Sequence, residues 1–313
     1  MTFTRRFNDY SMTDLLHLNS SPGIFELLLL LVSIVAGAFG ALLGLGGGVV
    51  IVPILTLGLG INIRYAIGAS IVSVIATSSG AAATYVKDHL TNIRVAMLLE
   101  VATTIGALSG AVLSTVVPER ELFCVFSGIL FYSAWVMFRR RHLDQSGERG
   151  LPLSNKVQPL ASTDYWARRF KLNSSYPDHV LGKEISYSVK NVPLGFLLML
   201  GAGVISGLLG IGSGALKVPA MDSAMKLPIK VSSATSNFMI GVTAAASAGA
   251  YYMRGDILPM LAAPVALGVL LGSMVGTRLM MRWQSQRIRV IFIGVLVVIA
   301  IQMGLRAFGI RVR

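Results

Sequence analysis

The sequence predicts an all-α polytopic membrane protein made of two homologous repeats, each interrupted by a half-helix at a glycine-rich motif. Composition points there first. Of 313 residues, 54% are hydrophobic and only 13% charged, with a mean hydropathy of +0.71, and the apolar stretches are too long and too uncharged for a soluble core. The chain also matches itself without a gap at an offset of 166 positions. Gly44-Leu45-Gly46-Gly47-Gly48 falls on Gly210-Ile211-Gly212-Ser213-Gly214, Pro53 on Pro219, Ser70 on Ser236, Thr77 on Thr243 and Tyr85 on Tyr251, and Gly106, Gly110 and Gly128 fall on Gly272, Gly276 and Gly294. Finally, both halves break at the same place, at glycines followed by a proline. Duplicated apolar halves broken in this way are the pattern of a transporter whose site lies between them.

Taken in order, residues 1–23 are polar and mixed, with Arg5 and Arg6 followed by Asn8, Asp9 and Asp14, and show neither a cleavable signal peptide nor the usual setting of a twin arginine. Repeat 1 (24–139) holds apolar stretches at 24–44, 48–60, 64–87, 93–117 and 121–138. Repeat 2 (191–310) holds them at about 193–210, 214–225, 229–252, 258–281 and 288–307. A span needs about 20 apolar residues, so the stretches after the glycines are expected to reach only part way. Non-helical backbone inside a bilayer survives only against protein or water, so both breaks should face inward. The linker at 140–190, with Pro152, Pro159 and Pro177, is too polar for a large core. Its Tyr165–Leu172 stretch fits either a solvated connector or an interfacial segment with cations toward lipid phosphate.

The net charge of +13 does not indicate nucleic acid. Ten of the 27 Lys and Arg lie in 139–190 and most others flank apolar segments, which fits topology determinants and anionic lipid. With Arg139 to Arg141 and the linker cytoplasmic, alternation puts Lys87 and Arg94 inside, Glu119, Arg120 and Glu121 outside, and Arg278, Arg282, Arg287 and Arg289 inside. Counting each short stretch as a crossing makes the number per half odd, the repeats inverted and both termini external. Arg306, Arg311 and Arg313 argue instead for an internal end and four crossings per half. The expected location is the cytoplasmic membrane. Cys124, the single cysteine, permits no internal disulfide and reads as a small lipid-facing side chain.

The chemistry concentrates at the repeated motif. Successive glycines bring bare backbone N–H groups to a ligand, and a helix starting just after them adds partial positive charge. The amides of Gly46, Gly47 and Gly48 and of Gly212, Ser213 and Gly214 therefore form a candidate site for a small anion. Close helix packing alone is the competing explanation of these glycines. Phosphate-loop and dinucleotide motifs both fail, since the spaced third glycine and the following Lys-Ser or Lys-Thr are absent, and no cofactor is expected.

Where repeat 1 has Ile51, repeat 2 has Lys217. A charge at the bilayer centre costs about 2.5 to 3.5 kcal/mol on insertion scales, so Lys217 is either the anion ligand or is paired with Asp222 or snorkelling. Ser70, Ser236 and Asn237, one stretch beyond the breaks, complete the candidate site, with Thr77 and Thr243 secondary; such hydroxyls often bond back to their own helix. Glu26, Glu100 and Asp256 read as segment-end residues, and His17, His89, His142 and His179 as lying outside the spans. No metal-ligand cluster, central carboxylate relay or hydrolytic pair is then expected.

At these residues the chain resembles the sulfite exporter TauE/SafE family. The likeness is carried by Gly40-Ala-Leu-Leu-Gly-Leu-Gly-Gly-Gly48 with Val52-Pro53, by Gly207-Leu-Leu-Gly-Ile-Gly-Ser-Gly214 with Val218-Pro219, by Pro228-Ile229-Lys230 followed by Ala234-Thr235-Ser236, and by the Tyr252–Ile257 stretch. It covers roughly 24–139 and 191–300. The resemblance implies movement, usually outward, of small sulfur-containing anions such as sulfite or organosulfonates like sulfoacetate. The chain departs from the pattern at Ser213, where a glycine is usual, and in its long linker. An anion channel, or a sensor or assembly partner acting through the linker, are the alternative functions. A coupling proton or ion and the oligomeric state are left open.

Overall fold

The computed structural model describes residues 22–43, 47–145, 164–178, 183–282 and 285–309. The first half comprises α1 (Pro22–Leu43), the short α2 (Gly48–Pro53), α3 (Ile63–Lys87), α4 (Ile93–Leu113) and α5 (Glu119–Gln145). The second comprises α7 (Val192–Leu209), the short α8 (Gly214–Pro219), α9 (Ile229–Met253), α10 (Pro259–Arg282) and α11 (Ser285–Ala307). These ten helices fall on the ten apolar stretches of the sequence. Four of them, over Ile63–Lys87, Ile93–Leu113, Val192–Leu209 and Pro259–Gly276, are by length and composition apolar enough to cross a membrane.

Both short helices widen into a π turn directly after an internal proline, Pro53 before Ile54–Gly58 and Pro219 before Ala220–Ala224. Proline supplies no N–H and crowds the carbonyl four residues back, and a wider turn relieves that crowding. Thr56 Oγ1 donates to Val52 O at 2.8 Å, supporting the disturbed ladder. Each half-helix with its π turn covers about eleven residues, or roughly 16 Å at 1.5 Å per residue. That is about half of a bilayer core.

The helices pack across the halves rather than within them: α1 on α10, α4 on α7, α5 on α11, and α3 and α9 at the centre against one another. Glycine permits the closest of these contacts. A Cβ on Gly106 or Gly110 of α4 would overlap backbone oxygens of Leu200 or Val204 of α7, and one on Gly207 would overlap Ala107 O. Gly272 and Gly276 of α10 meet Ile34 and Ala38 of α1 in the same way. Residue numbers rise together in each pair, so α4 and α7 are parallel, as are α1 and α10.

One end of the bundle gathers the turns at 59–64, 114–119 and 254–257 with the tail of α11. Asn62 bonds Glu119, Arg64 bonds the carbonyls of Ser114 and Val117, Arg254 bonds Ala111 O and Asp256, and Arg306 bonds Thr56 O. The opposite end gathers 88–92, 171–173, 187–191 and 225–228, through Asn92 to Leu172 O, Arg94 to Lys171 O, and Lys190 N to Met225 O. α1, α3, α5 and α10 run from the first end to the second; α4, α7, α9 and α11 run back.

Sequence patterning missed a small folded unit in the linker. Helix α5 runs on to Gln145, and 164–190 hold α6 (Tyr165–Arg169) and an antiparallel hairpin, β1 (Ser174–Asp178) with β2 (Lys183–Tyr187). Ala167, Leu172, Tyr176 and Val189 are buried with Val95, Leu99 and Met225 of the bundle, so this unit borrows its core from the helices. Asn92 joins the two: it caps α4 by accepting from Val95 N and donates to Leu172 O and to Tyr187 Oη at 2.8 Å. Burial pushes the Tyr187 phenol above its usual range, so it stays protonated. Cys124 lies on the outer surface of α5.

Candidate functional site

The two glycine breaks meet. Ser70 Oγ of α3 donates to Gly210 O at 2.8 Å, and a Cβ on Gly48 would come within 3.1 Å of that same carbonyl. Gly47 sits against Val269 and Thr77, and Gly212 against Val74 and Ile240. Gly46 lies outside the described residues. In the second break Gly210, Gly212 and Ser213 all have positive φ, 64°, 74° and 51°. The left-handed conformation costs a non-glycine residue roughly 1 kcal/mol, so Ser213 holds its place against backbone preference. In each half-helix the first amides taken up by a carbonyl are those of Val50 and Ile51, to Gly47 O, and of Leu216 and Lys217, to Ser213 O. The amides just before them have no helical acceptor.

Lys217 is completely buried. Its Nζ donates to Thr243 Oγ1 at 2.6 Å and stands 3.9 Å from Glu100 Oε2. Thr243 Oγ1 is also 2.6 Å from Glu100 Oε1, 2.8 Å from Met239 O and 3.4 Å from Thr103 Oγ1. Thr104 donates to Glu100 Oε1 at 3.3 Å. The cluster corrects two readings. Glu100 is not a segment-end residue but the eighth of α4, buried against the centre of the bundle. The counter-charge of Lys217 is Glu100, and not Asp222. A central carboxylate is therefore present after all. The signal was available: two opposite charges inside apolar segments are expected to find each other.

Ser236 and Thr243 lie on one face of α9, with Ile240 between them against Gly212. Among the described residues, the hydroxyls of Ser213 and Ser236, the Asn237 Nδ2 amide and Glu100 Oε2 are buried without a hydrogen-bond partner. Buried polar atoms without partners are uncommon, and three of these four can donate. The Asn237 backbone carbonyl accepts from Ser78 Oγ. Ser70 and Thr77 have their protons engaged, by Gly210 O and by Ser73 O at 2.8 Å. Ser213 at the second break and Ser236 and Asn237 on α9 thus keep unengaged donors, as do Thr91 and Arg254 near the two ends of the bundle.

The comparisons with known proteins agree with this architecture. The family model for sulfite exporter TauE/SafE matches residues 29–303. The chain belongs to the sulfite exporter TauE/SafE family. It is 26% identical over 283 residues to the probable membrane transporter protein YunE of Bacillus subtilis (strain 168), covering 88% of this chain and 96% of that protein. The probable membrane transporter protein YdhB of the same organism is 25% identical, over 80% of this chain and 89% of its own length. The probable membrane transporter protein MJ0441 of Methanocaldococcus jannaschii is 23% identical, over 88% and 94%. No solved structure matches the chain significantly. Family membership and the apolar helices make this a multi-pass membrane protein of a transporter family.

Proposed function

We propose that the protein is a secondary transporter that exports small sulfur-containing oxyanions, such as sulfite or organosulfonates like sulfoacetate, across the cytoplasmic membrane by alternating access. The observation that carries this reading is Lys217, a fully buried cation in a half-helix whose first turn holds Ser213, one of three buried unpartnered donors with Ser236 and Asn237 of α9. A tetrahedral or pyramidal oxyanion presents several acceptors at once, and the Lys217 ammonium, the Ser213 and Ser236 hydroxyls, the Asn237 amide and the Gly214 backbone N–H supply donors of matching number. Thr243 accepts from the ammonium and holds it in place.

The halves act as inverted repeats. α1, α3 and α5 run opposite to α7, α9 and α11, their counterparts 166 residues later, and α4 runs opposite to α10. The bundle end bearing Lys87, Arg94, Arg168, Arg169, Lys171 and Lys190 faces the cytoplasm. Arg64, Arg254 and Arg306 at the other end are tied to helix carbonyls or to Asp256, so Arg306 does not count against an external terminus. Lys217, Ser213, Ser236 and Thr243 have no solvent exposure, which suits the occluded step of such a cycle. The exchange of helices between halves implies that α1 moves with α10 and α4 with α7, rather than each repeat as a block.

Reconstituted vesicles loaded with labelled sulfite or sulfoacetate, with acetate as control, test the reading. Saturable flux of the sulfur anions and its loss in Lys217→Ala is the expected result; an unchanged KM in that variant would place the site elsewhere.

A further inference from the structure

We infer that Glu100 is the proton-carrying residue of this transporter: it takes up a proton at Oε2 when an anion reaches Lys217, so that proton and anion cross together and no net charge moves. This rests on the anion reading above and adds to it the coupling ion; outward flux then runs while the internal anion excess exceeds the opposing proton ratio, and reverses when it does not.

The geometry of the pair is that of an exchangeable partner. Lys217 Nζ has three donors; one goes to Thr243 Oγ1, and at 3.9 Å Glu100 Oε2 is an ionic neighbour beyond hydrogen-bond reach. Oε2 has no hydrogen-bond partner among the described residues, while Oε1 is held by Thr243 and Thr104. An incoming anion therefore finds donors on Lys217 free, and displaces an electrostatic contact without breaking a hydrogen bond.

Charge conservation supplies the rest. With the site empty, the Lys217 ammonium and the Glu100 carboxylate sum to zero. An anion added to that pair leaves two negative charges around one cation in a closed, water-poor interior, which is strongly unfavourable. A proton on Oε2, drawn from the aqueous side to which the site is open, restores neutrality. On the far side the anion leaves, the proton returns to water, and Glu100 pairs again with Lys217. Thr243 accommodates both states, since its single hydroxyl proton has Glu100 Oε1 and Met239 O as alternative acceptors at 2.6 and 2.8 Å. Lys217 is the charged group facing Glu100. α7, packed on α4, carries no titratable residue from Val192 to Leu209, and α9 presents Met239 and Thr243 at this level. Binding of anion and proton then strengthen each other by the same factor.

The site has no such partner in the other half. The positions matching Lys217 and Glu100 at the offset of 166 are Ile51 and Ala266, so one proton per cycle is the expected stoichiometry.

The test uses proteoliposomes clamped with potassium and valinomycin, a trapped pH-sensitive dye, and labelled methanesulfonate or isethionate, whose sulfonate groups do not titrate near neutrality. For the wild type, one proton should enter with each anion, and an imposed gradient should hold about ten-fold accumulation for each unit of pH difference. Glu100→Gln should retain anion exchange but lose gradient-driven accumulation, and its net flux should become voltage-sensitive. Glu100→Asp should keep the gradient response. Anion flux by the wild type without proton flux, or a gradient response surviving in Glu100→Gln, overturns the assignment of Glu100 and leaves the transporter reading intact. Absence of any anion flux in the wild type overturns the transporter reading itself.

Discussion

The two breaks occupy matching places in the sequence and share Ser70 with Ser236 and Thr77 with Thr243, yet differ where Gly47, Ile51 and Ile71 face Ser213, Lys217 and Asn237 at the same offset. The first sets Gly47 against Val269 of α10 and Thr77 of α3, with Thr77 bonded back to its own helix. The second joins Lys217 and Thr243 to Glu100 and Thr103 of α4. Thr103 matches Val269 and Glu100 matches Ala266 at the same offset, so the polar pair on one side is replaced by an apolar pair on the other. Two short helices start close together inside the bundle, and among the described residues a charged side chain is present in only one of them. The apolar break is tied to the other through Ser70 and Gly210 O.

Four substitutions would break or sharpen that contrast, the largest effect first. Lys217→Met leaves Glu100 buried without its counter-charge, which should cost about 3–5 kcal/mol and abolish anion flux. Thermal melting in detergent should show most of that stability returning in the double variant with Glu100→Gln, while flux stays lost. A double variant no more stable than Lys217→Met alone would mean that the pair is not coupled. Next, Ile51→Lys places a charge in the apolar break and should destabilise by about 2.5 to 3.5 kcal/mol; adding Ala266→Glu should recover much of it. Failure of that rescue would show that the two breaks do not share one geometry.

A smaller loss is expected for Gly110→Ala, whose methyl would overlap Val204 O; overpacking of this kind costs about 1–3 kcal/mol, measurable as a lower melting midpoint. The same substitution at Gly128, where nothing lies within 4 Å, should be neutral. Smallest is Ser213→Gly. It relieves a left-handed serine and should stabilise by about 1 kcal/mol, yet raise KM a few-fold if the hydroxyl contacts the anion. A stabilised variant with unchanged KM would leave Ser213 a purely structural role.

The helices themselves were legible because bilayer-length apolar stretches and their glycine and proline interruptions act locally. Pro53 and Pro219 mark both π turns, and Asn92 marks the start of α4 as its cap. Lys217 and Thr243 were legible for the same reason: a charge in an apolar segment, and a position repeated in both halves. Glu100 was not. Its partner is set by how α4 crosses α9, a tertiary fact that no spacing within Ile93–Leu113 carries, and its place early in the helix imitates a boundary residue. The linker unit escaped for a related reason. Its hairpin is short, and Leu172 and Tyr176 find their burial against Val95, Leu99 and Met225, distant in sequence.

The glycine-lined parallel contacts carry a consequence for how the chain is assembled. Each half, made by itself, would leave a trough along α1 or α7 whose filling strand of mass is encoded in the other half. Genes split within 146–163 should thus yield two fragments that are degraded when expressed separately and accumulate together when co-expressed, interlocked like clasped hands.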